Sequence, residues 1–198
     1  MPPADDIQQY LTGAWQLMMG KRDGEALLDV SADGFWNSFF AIVIALPALI
    51  VGWVGTANEL GADPTAPASR LSYMLRLAMI DLGAWILPLV GLAFVASSAG
   101  IRDRFVHYVV ASNWSSAILA WLMLPAALLR LVTPSNADLA LTLSLGLFLL
   151  SMVLTWRLTN AVIAKGAAVG SAVFAGMFIA SVVVLVVLQA ILGIYISG

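Results

Sequence analysis

Uncharged apolar stretches about as long as a membrane is thick recur along this chain. Residues 35–55 carry no charged side chain, and 13 of the 19 residues in 178–196 are Phe, Ile, Leu or Val. About 20 apolar residues in a helix cross the hydrocarbon core of a bilayer. The chain is 62% hydrophobic and 10% charged, whereas soluble domains carry about 25% charged residues. The sequence therefore predicts an all-α fold, a polytopic membrane helix bundle.

Polar segments divide the apolar sequence into five stretches. Residues 56–69 hold two prolines among small and acidic residues and are predicted to be a loop, and residues 133–136 a tight turn. Residues 166–196 are too few for two crossings. We predict a transmembrane domain over 35–198, with spans at about 35–55, 77–98, 108–132, 139–156 and 171–196. Trp36 and Trp53, near the ends of the first span, are expected to anchor it at the membrane interface.

The first 34 residues are predicted to be a cytoplasmic segment with one amphipathic helix over about 5–20. Asp5 is its expected N-cap, and Gly20 suits the left-handed residue that closes a helix. The favoured position is the lipid surface; packing on the ends of the bundle or on a partner protein are the alternatives. The acidic N-terminus predicts that no leader is cleaved.

The cations predict an orientation. With five spans, six cations fall on the side of the N-terminus and three on the other side. The six are Lys21, Arg22, Arg102, Arg104, Arg157 and Lys165, and the three are Arg70, Arg76 and Arg130. Cytoplasmic loops carry the excess of Lys and Arg. We therefore expect a multi-pass cell-membrane protein, in the inner membrane if the source is bacterial, with its N-terminus in the cytoplasm and its C-terminus outside.

Several kinds of chemistry are excluded or made improbable by composition. The chain has no cysteine and one histidine, His107, which excludes disulfides, thiolate metal sites and sites with several histidines. The net charge is −2 and no basic run occurs, so no nucleic-acid partner is predicted. No catalytic or cofactor motif stands out. The sequence predicts a protein that is not an enzyme and has no cofactor or metal.

Asp81 is the most informative single residue. It lies about seven residues, or roughly 10 Å of helix, before the centre of the predicted second span. A carboxylate at mid-membrane costs about 2.5–3.5 kcal/mol, and less near an interface. We therefore expect a partner, with Arg130 and Asn136 as candidates. An interfacial ion pair with Arg130 that sets the depth of the helix is favoured over a proton or cation relay.

Three prolines lie near the middle of predicted spans: Pro47, Pro88 and Pro125, each after a leucine. Proline removes a backbone donor and bends a helix, so the carbonyl four residues earlier needs another partner in hydrocarbon. Plain kinks that shape the bundle are favoured. The alternative is a polar seam through which a solute or ion passes.

Two further patterns concern lipid contact and helix packing. Lys21, Arg22, Arg102 and Arg104 are candidate contacts for lipid headgroups. The latter two form a cluster with Asp103, His107 and Asn113 that could hold a lipid phosphate, although charge that sets topology is the favoured explanation of this cluster. A stripe of small residues is predicted to be a packing surface between helices or between copies of the chain. Its glycines are Gly166, Gly170 and Gly176.

The order of these elements resembles that of small bacterial membrane proteins of the Yip family. A polar N-terminal segment with a short helix (Trp15–Met19) precedes five closely spaced spans, and Pro125 lies inside the third. The Asp-Leu-Tyr-Gly-Pro signature of the eukaryotic relatives is absent, so no functional residue is carried over. The resemblance implies a cytosolic N-terminus, a non-enzymatic membrane-organising role and oligomerisation.

Two functions remain open. The favoured one is a non-enzymatic scaffold or subunit of a membrane complex, with the lipid bilayer and a membrane protein or a second copy as partners. The alternative is a small transporter or channel for a solute or ion, for which Asp81 and the prolines are the argument.

Overall fold

The computed structural model describes residues 2–61, 67–133 and 137–194. Within these ranges the chain is helical and contains no strand. The described residues form seven α-helices: α1 (Ala4–Met18), α2 (Ala32–Ser38), α3 (Ala41–Glu59), α4 (Pro67–Val95), α5 (Phe105–Val132), α6 (Ala137–Ile163) and α7 (Ala167–Leu192). Short 3-10 segments cover Arg22–Leu27 and Arg102–Arg104. Five helical stretches are long and apolar enough to cross a membrane, which confirms the predicted fold class and the number of spans.

The helices extend beyond the predicted spans. α4 begins at Pro67, ten residues before the predicted start at residue 77, and α6 continues to Ile163 rather than ending at residue 156. Hydropathy marks the part of a helix that suits hydrocarbon, but a helix continues for as long as its backbone hydrogen bonds do. The predicted loop over 56–69 is therefore too long, since residues 56–59 belong to α3. Residues 62–66 and 134–136 lie outside the described ranges.

The first predicted span consists of two helices rather than one. α2 ends at Ser38 and α3 begins at Ala41, so residues 39 and 40 form a turn between them. The Ser31 hydroxyl accepts a hydrogen bond from the Gly34 amide (3.1 Å) and caps α2. Together the two helices make a 28-residue candidate span, Ala32–Glu59.

The five long helices form a closed ring. α3 packs on α5, α5 on α6, α6 on α7, α7 on α4, and α4 on α3. Packed helix axes are about 8–10 Å apart, so a regular ring of five holds each axis about 8 Å from its centre. The middle of such a ring is filled only where large side chains point inward. We call the end where α3 begins the N-side and the end where α3 ends the C-side.

Helix α1 packs on this ring through its apolar face. Leu17 and Met18 are fully buried, and the Tyr10 ring lies 5.3 Å from the ring of Trp114 on α5. The buried face of α1 belongs to the same hydrophobic core as α5 and α6. The favoured prediction, with this face on lipid, is therefore wrong, and packing on the bundle is correct. Side chains of the bundle cover this face and pack closely against it.

The predicted start of α1 is wrong, whereas its predicted end is confirmed. The helix begins at Ala4 after Pro3, with no side-chain cap, so the predicted N-cap Asp5 is wrong. Proline supplies the extended backbone that precedes a helix without needing a capping side chain. Gly20 has φ +79°, and the Lys21 amide donates to the Gln16 carbonyl (2.8 Å). This is the left-handed closure that Gly20 predicted.

Candidate functional site

A cavity of about 690 Å³ occupies the interior of the helix ring, and all five long helices line it. The α5 residues that line it extend along most of that helix: Tyr108, Ser112, Ser115, Ser116, Leu119, Ala120, Met123, Leu124, Ala127 and Arg130. From the first to the last of these is about 33 Å of helix, close to the thickness of a hydrocarbon core, about 30 Å. The cavity therefore follows the direction in which the helices would cross a membrane.

Small residues on α3 and α4 leave this space open. Gly52, Gly55 and Ala48 of α3 and Ala84 of α4 line the cavity. A side chain added at Gly52 or Gly55 would meet nothing within 4 Å. A ring of five helices already has room at its centre, and these residues do not fill it.

Asp81 projects into the cavity from α4. Its Oδ2 accepts a hydrogen bond from Nε1 of Trp53 on α3 at 2.6 Å. Asp81 lies 14 residues from each end of α4, and five residues, about 7.5 Å of helix, inward from Arg76. It is thus inside the span rather than at its end. Among the described residues, no cation lies within ion-pair distance of its carboxylate.

The proposed pair of Asp81 and Arg130 does not form. Arg130 makes a two-point ion pair with Glu59 of α3, with 3.0 Å from Nε to Oε1. Asp81 instead bonds Trp53 of α3, whereas Glu59 and Arg130 both lie near the C-side ends of the packed helices α3 and α5. The other candidate partner, Asn136, lies outside the described residues.

Trp53 does not anchor the first span at an interface. It is 7% exposed and holds Asp81, whereas Trp36 is 72% exposed. Hydropathy cannot distinguish these two tryptophans, because their different surroundings come from contacts between helices distant in sequence.

Serine hydroxyls line the cavity with their oxygen atoms free to accept. Ser112 and Ser115 of α5 donate to the carbonyls of Val109 and Ser112 (3.0 and 2.9 Å), and Ser151 of α6 donates to Leu147 (2.8 Å). A hydroxyl that donates to its own helix keeps lone pairs for a ligand. We did not predict these residues from sequence, although their polar positions at helical spacing on α5 were a usable signal.

Near the N-side, Trp85 and Asn113 connect α4 with α5. Trp85 Nε1 donates to Asn113 Oδ1 (2.9 Å), and Asn113 Nδ2 donates to Ser38 Oγ (2.8 Å). Asn113 is fully buried, so the sequence-based idea that it joins a cluster for lipid phosphate is wrong. A buried amide needs partners for its donors and acceptors, and the neighbouring helices supply them.

The three prolines lie inside α3, α4 and α5, and each is next in sequence to a residue that lines the cavity. These neighbours are Ala48, Leu89 and Leu124. Nε1 of Trp121, four residues before Pro125, donates to the carbonyl of Ile44, three residues before Pro47 (2.9 Å). This bond joins α5 to the turn of α3 that precedes Pro47, but it does not reach the Val43 carbonyl, four residues before Pro47, whose replacement partner stays a prediction.

At the N-side, Arg104 is engaged by the protein itself. It forms a two-point ion pair with Glu25 (2.7 and 2.8 Å) and donates to the Val162 carbonyl (2.7 Å). Arg104 therefore links the N-terminal segment and α6 to the start of α5, and its side chain is not available to bind a lipid headgroup. Lys21, Arg22 and Arg102 are exposed, and their contact with lipid headgroups stays a prediction.

Of the three glycines in the predicted packing stripe, one is at a close contact within the chain. A side chain at Gly170 would collide with Asn160 of α6, including its Cα at 2.9 Å. Gly166 and Gly176 have nothing within 4 Å of an added side chain. Gly170 therefore lets α7 approach α6, while the packing of the other two stays a prediction.

No group of three or more His, Cys, Asp or Glu residues able to hold a metal occurs in the part of the chain that the structure describes. Comparisons with family models, with curated proteins and with solved structures gave no match. The resemblance to the Yip family therefore stays a prediction.

Proposed function

We propose that this membrane protein binds a small solute inside its helix ring and carries it across the bilayer without changing it chemically. The observation that carries the proposal is the cavity of about 690 Å³ with Asp81 on its wall. Sites for small molecules in proteins have volumes of about 300–1,000 Å³, with apolar walls and a few polar groups.

The position of Asp81 supports a functional role. An ionised carboxylate costs about 2.5–3.5 kcal/mol at the centre of a membrane helix and less toward its ends. One hydrogen bond from Trp53 at 2.6 Å offsets part of this cost, and no cation of the described residues pairs with it. Ionisable residues retained inside membrane spans mark substrate and ion pathways.

The prolines support movement around this site. Pro47, Pro88 and Pro125 lie on three of the five helices, next to the cavity. Helices interrupted near the bilayer midplane form the sites of many transporters, and parts of them rock to open the site to each side. This arrangement favours a polar seam through the bundle, which was the alternative interpretation of the prolines, over plain kinks.

The scaffold role favoured by the sequence stays a prediction, as do a homo-oligomer and a membrane-protein partner. The absence of catalytic motifs and the amphipathic N-terminal helix are the sequence arguments for that role, and the apolar face of this helix, α1, is buried against α5 and α6 in this chain. We further propose that the N-side faces the cytoplasm and the C-terminus lies outside. Arg104, Arg157 and Lys165 lie at the N-side, where each forms an ion pair or a hydrogen bond. The positive-inside rule assigns the side with the excess of Lys and Arg to the cytoplasm.

Two-sided cysteine labelling tests carriage without knowledge of the solute. The chain has no cysteine, so Ser116→Cys places one thiol in the cavity. A membrane-impermeant maleimide is added to vesicles of either orientation. A carrier exposes the cavity to each side in turn, so we expect labelling from both sides. Leu145→Cys on the outer surface of α6, 56% exposed and outside the cavity, should react from neither side, because thiolates do not form in hydrocarbon.

Labelling of Ser116→Cys from one side only would contradict carriage and leave a static binding pocket. If Ser116→Cys reacts from neither side, the cavity is not accessible to water, and the scaffold role becomes the better-supported function.

A further inference from the structure

The cavity offers charge, hydrogen-bond acceptors and aromatic surface together, and these define a class of ligand. We propose that the solute is a small organic cation: a protonated amine whose ammonium group lies at Asp81 and whose apolar body lies among the aromatic side chains. This inference rests on the proposed function, since it specifies what the cavity carries.

The charges of the cavity favour a cation. Asp81 and Arg130 are the charged residues among the described side chains that line it. The guanidinium of Arg130 is paired with Glu59, so these two charges cancel. When it is ionised, the carboxylate of Asp81 gives the cavity with its ion pair a net charge of −1. A ligand with one positive charge neutralises it, whereas an anion would add a second negative charge at low dielectric.

The hydrogen bonds favour a ligand that donates. The indole N–H groups of Trp53 and Trp85 are used by Asp81 and Asn113. The hydroxyls of Ser112, Ser115 and Ser151 donate to carbonyls of their own helices. What these groups leave open is acceptors, namely a carboxylate and hydroxyl oxygens. Other lining side chains, Thr56, Ser116, Thr155, Ser181 and Gln189, can both donate and accept. An ammonium group has three donors and no acceptor, so it complements the acceptors around Asp81.

The size and the aromatic wall favour an organic cation over a metal ion. A volume of about 690 Å³ far exceeds the roughly 30 Å³ that one water occupies in the liquid, so a bare ion would leave it largely unfilled. Phe148, Phe174 and Phe178 line the cavity beside Trp53 and Trp85. Aromatic faces attract a cation by about 0.5–2 kcal/mol and also pack against its apolar part.

Three probes of the same shape test this inference: 4-phenylbutylamine, 4-phenylbutanol and 4-phenylbutyrate. Their binding to the purified full chain in detergent is measured by calorimetry at pH 7, where an alkylamine is protonated and a carboxylic acid is ionised. Hydrogen bonds to charged groups are worth about 1.5–3 kcal/mol. We expect the amine to bind about 10- to 100-fold more tightly than the alcohol and the carboxylate.

Asp81→Asn keeps the shape of the side chain and removes its charge. It should lower the affinity for the amine by about tenfold or more and leave the affinity for the alcohol unchanged, which also shows that the variant is folded. Asp33→Asn makes the same change at an exposed residue outside the cavity and should alter neither affinity.

Equal binding of the amine and the alcohol, or an unchanged affinity of Asp81→Asn for the amine, would overturn the amine assignment while two-sided labelling of Ser116→Cys still supports carriage. Binding of none of the probes above detergent alone would also overturn it. If Asp81→Asn does not fold, the selectivity of the wild-type protein among the three probes tests the amine assignment by itself.

Discussion

The buried amide of Asn113 is predicted to hold the N-side of the bundle together. Asn113 is fully buried, accepts from Trp85 Nε1 at 2.9 Å and donates to Ser38 Oγ at 2.8 Å. Asn113→Leu removes both hydrogen bonds and leaves the Trp85 N–H without its partner. Hydrogen bonds between membrane helices contribute about 0.6 kcal/mol on average and up to about 1.7 kcal/mol. For two bonds we expect a loss of about 1–3 kcal/mol of unfolding free energy.

A double-mutant cycle isolates one of these bonds. Asn113→Leu, Trp85→Phe and the double variant are unfolded by SDS from detergent micelles, followed by far-UV circular dichroism. We expect a coupling energy of about 0.6–1.7 kcal/mol between the two residues. Thr142→Val is the matched control, because the exposed Thr142 hydroxyl donates only to Asp138 of its own helix; it should change stability by less than about 0.5 kcal/mol.

A coupling energy near zero would refute the reasoning, since it would mean that Trp85 and Asn113 do not share a hydrogen bond in the folded protein. A cost of Asn113→Leu no larger than that of Thr142→Val would refute it as well.

Three further predictions concern packing and titration. Leu17→Ala should destabilise the protein by about 2–5 kcal/mol in the same SDS assay, because Leu17 is fully buried against the ring. Gly170→Ala should cost about 1–3 kcal/mol by collision with Asn160, whereas Gly176→Ala, with open space around it, should be neutral. Burial raises the pKa of Tyr10, and nearby carboxylates add to this; the folded state thus keeps a proton that the unfolded state loses, and stability should fall as pH rises above about 10. Tyr10→Phe should reduce that fall in thermal unfolding curves, and identical curves would contradict it.

Much of the fold follows from local signals. Apolar length predicts five spans because hydrocarbon thickness fixes the length of a crossing. Gly20 predicts the end of α1 because few other residues adopt a positive φ. The division of cations between the two ends follows from the order of the spans alone.

The ring and its site depend on contacts that local signals do not contain. Apolar residues satisfy both lipid and protein neighbours, so hydropathy does not reveal that α7 closes the ring against α4. Sequence therefore identified Asp81 but assigned it the wrong partner, Arg130 instead of Trp53. The sequence likewise placed the apolar face of α1 on lipid. An amphipathic pattern shows that one face of a helix is buried, but it does not show whether lipid or protein covers that face.

Single-cysteine topology tests the central claim, that the long helices cross a bilayer around the cavity, most directly. Asp23→Cys and Arg102→Cys lie at exposed N-side positions and Asp138→Cys at an exposed C-side position. With a membrane-impermeant maleimide on intact and inverted vesicles, we predict that the first two react only from the cytoplasmic side and the third only from the opposite side. Labelling of all three from the same side would contradict the membrane-crossing ring.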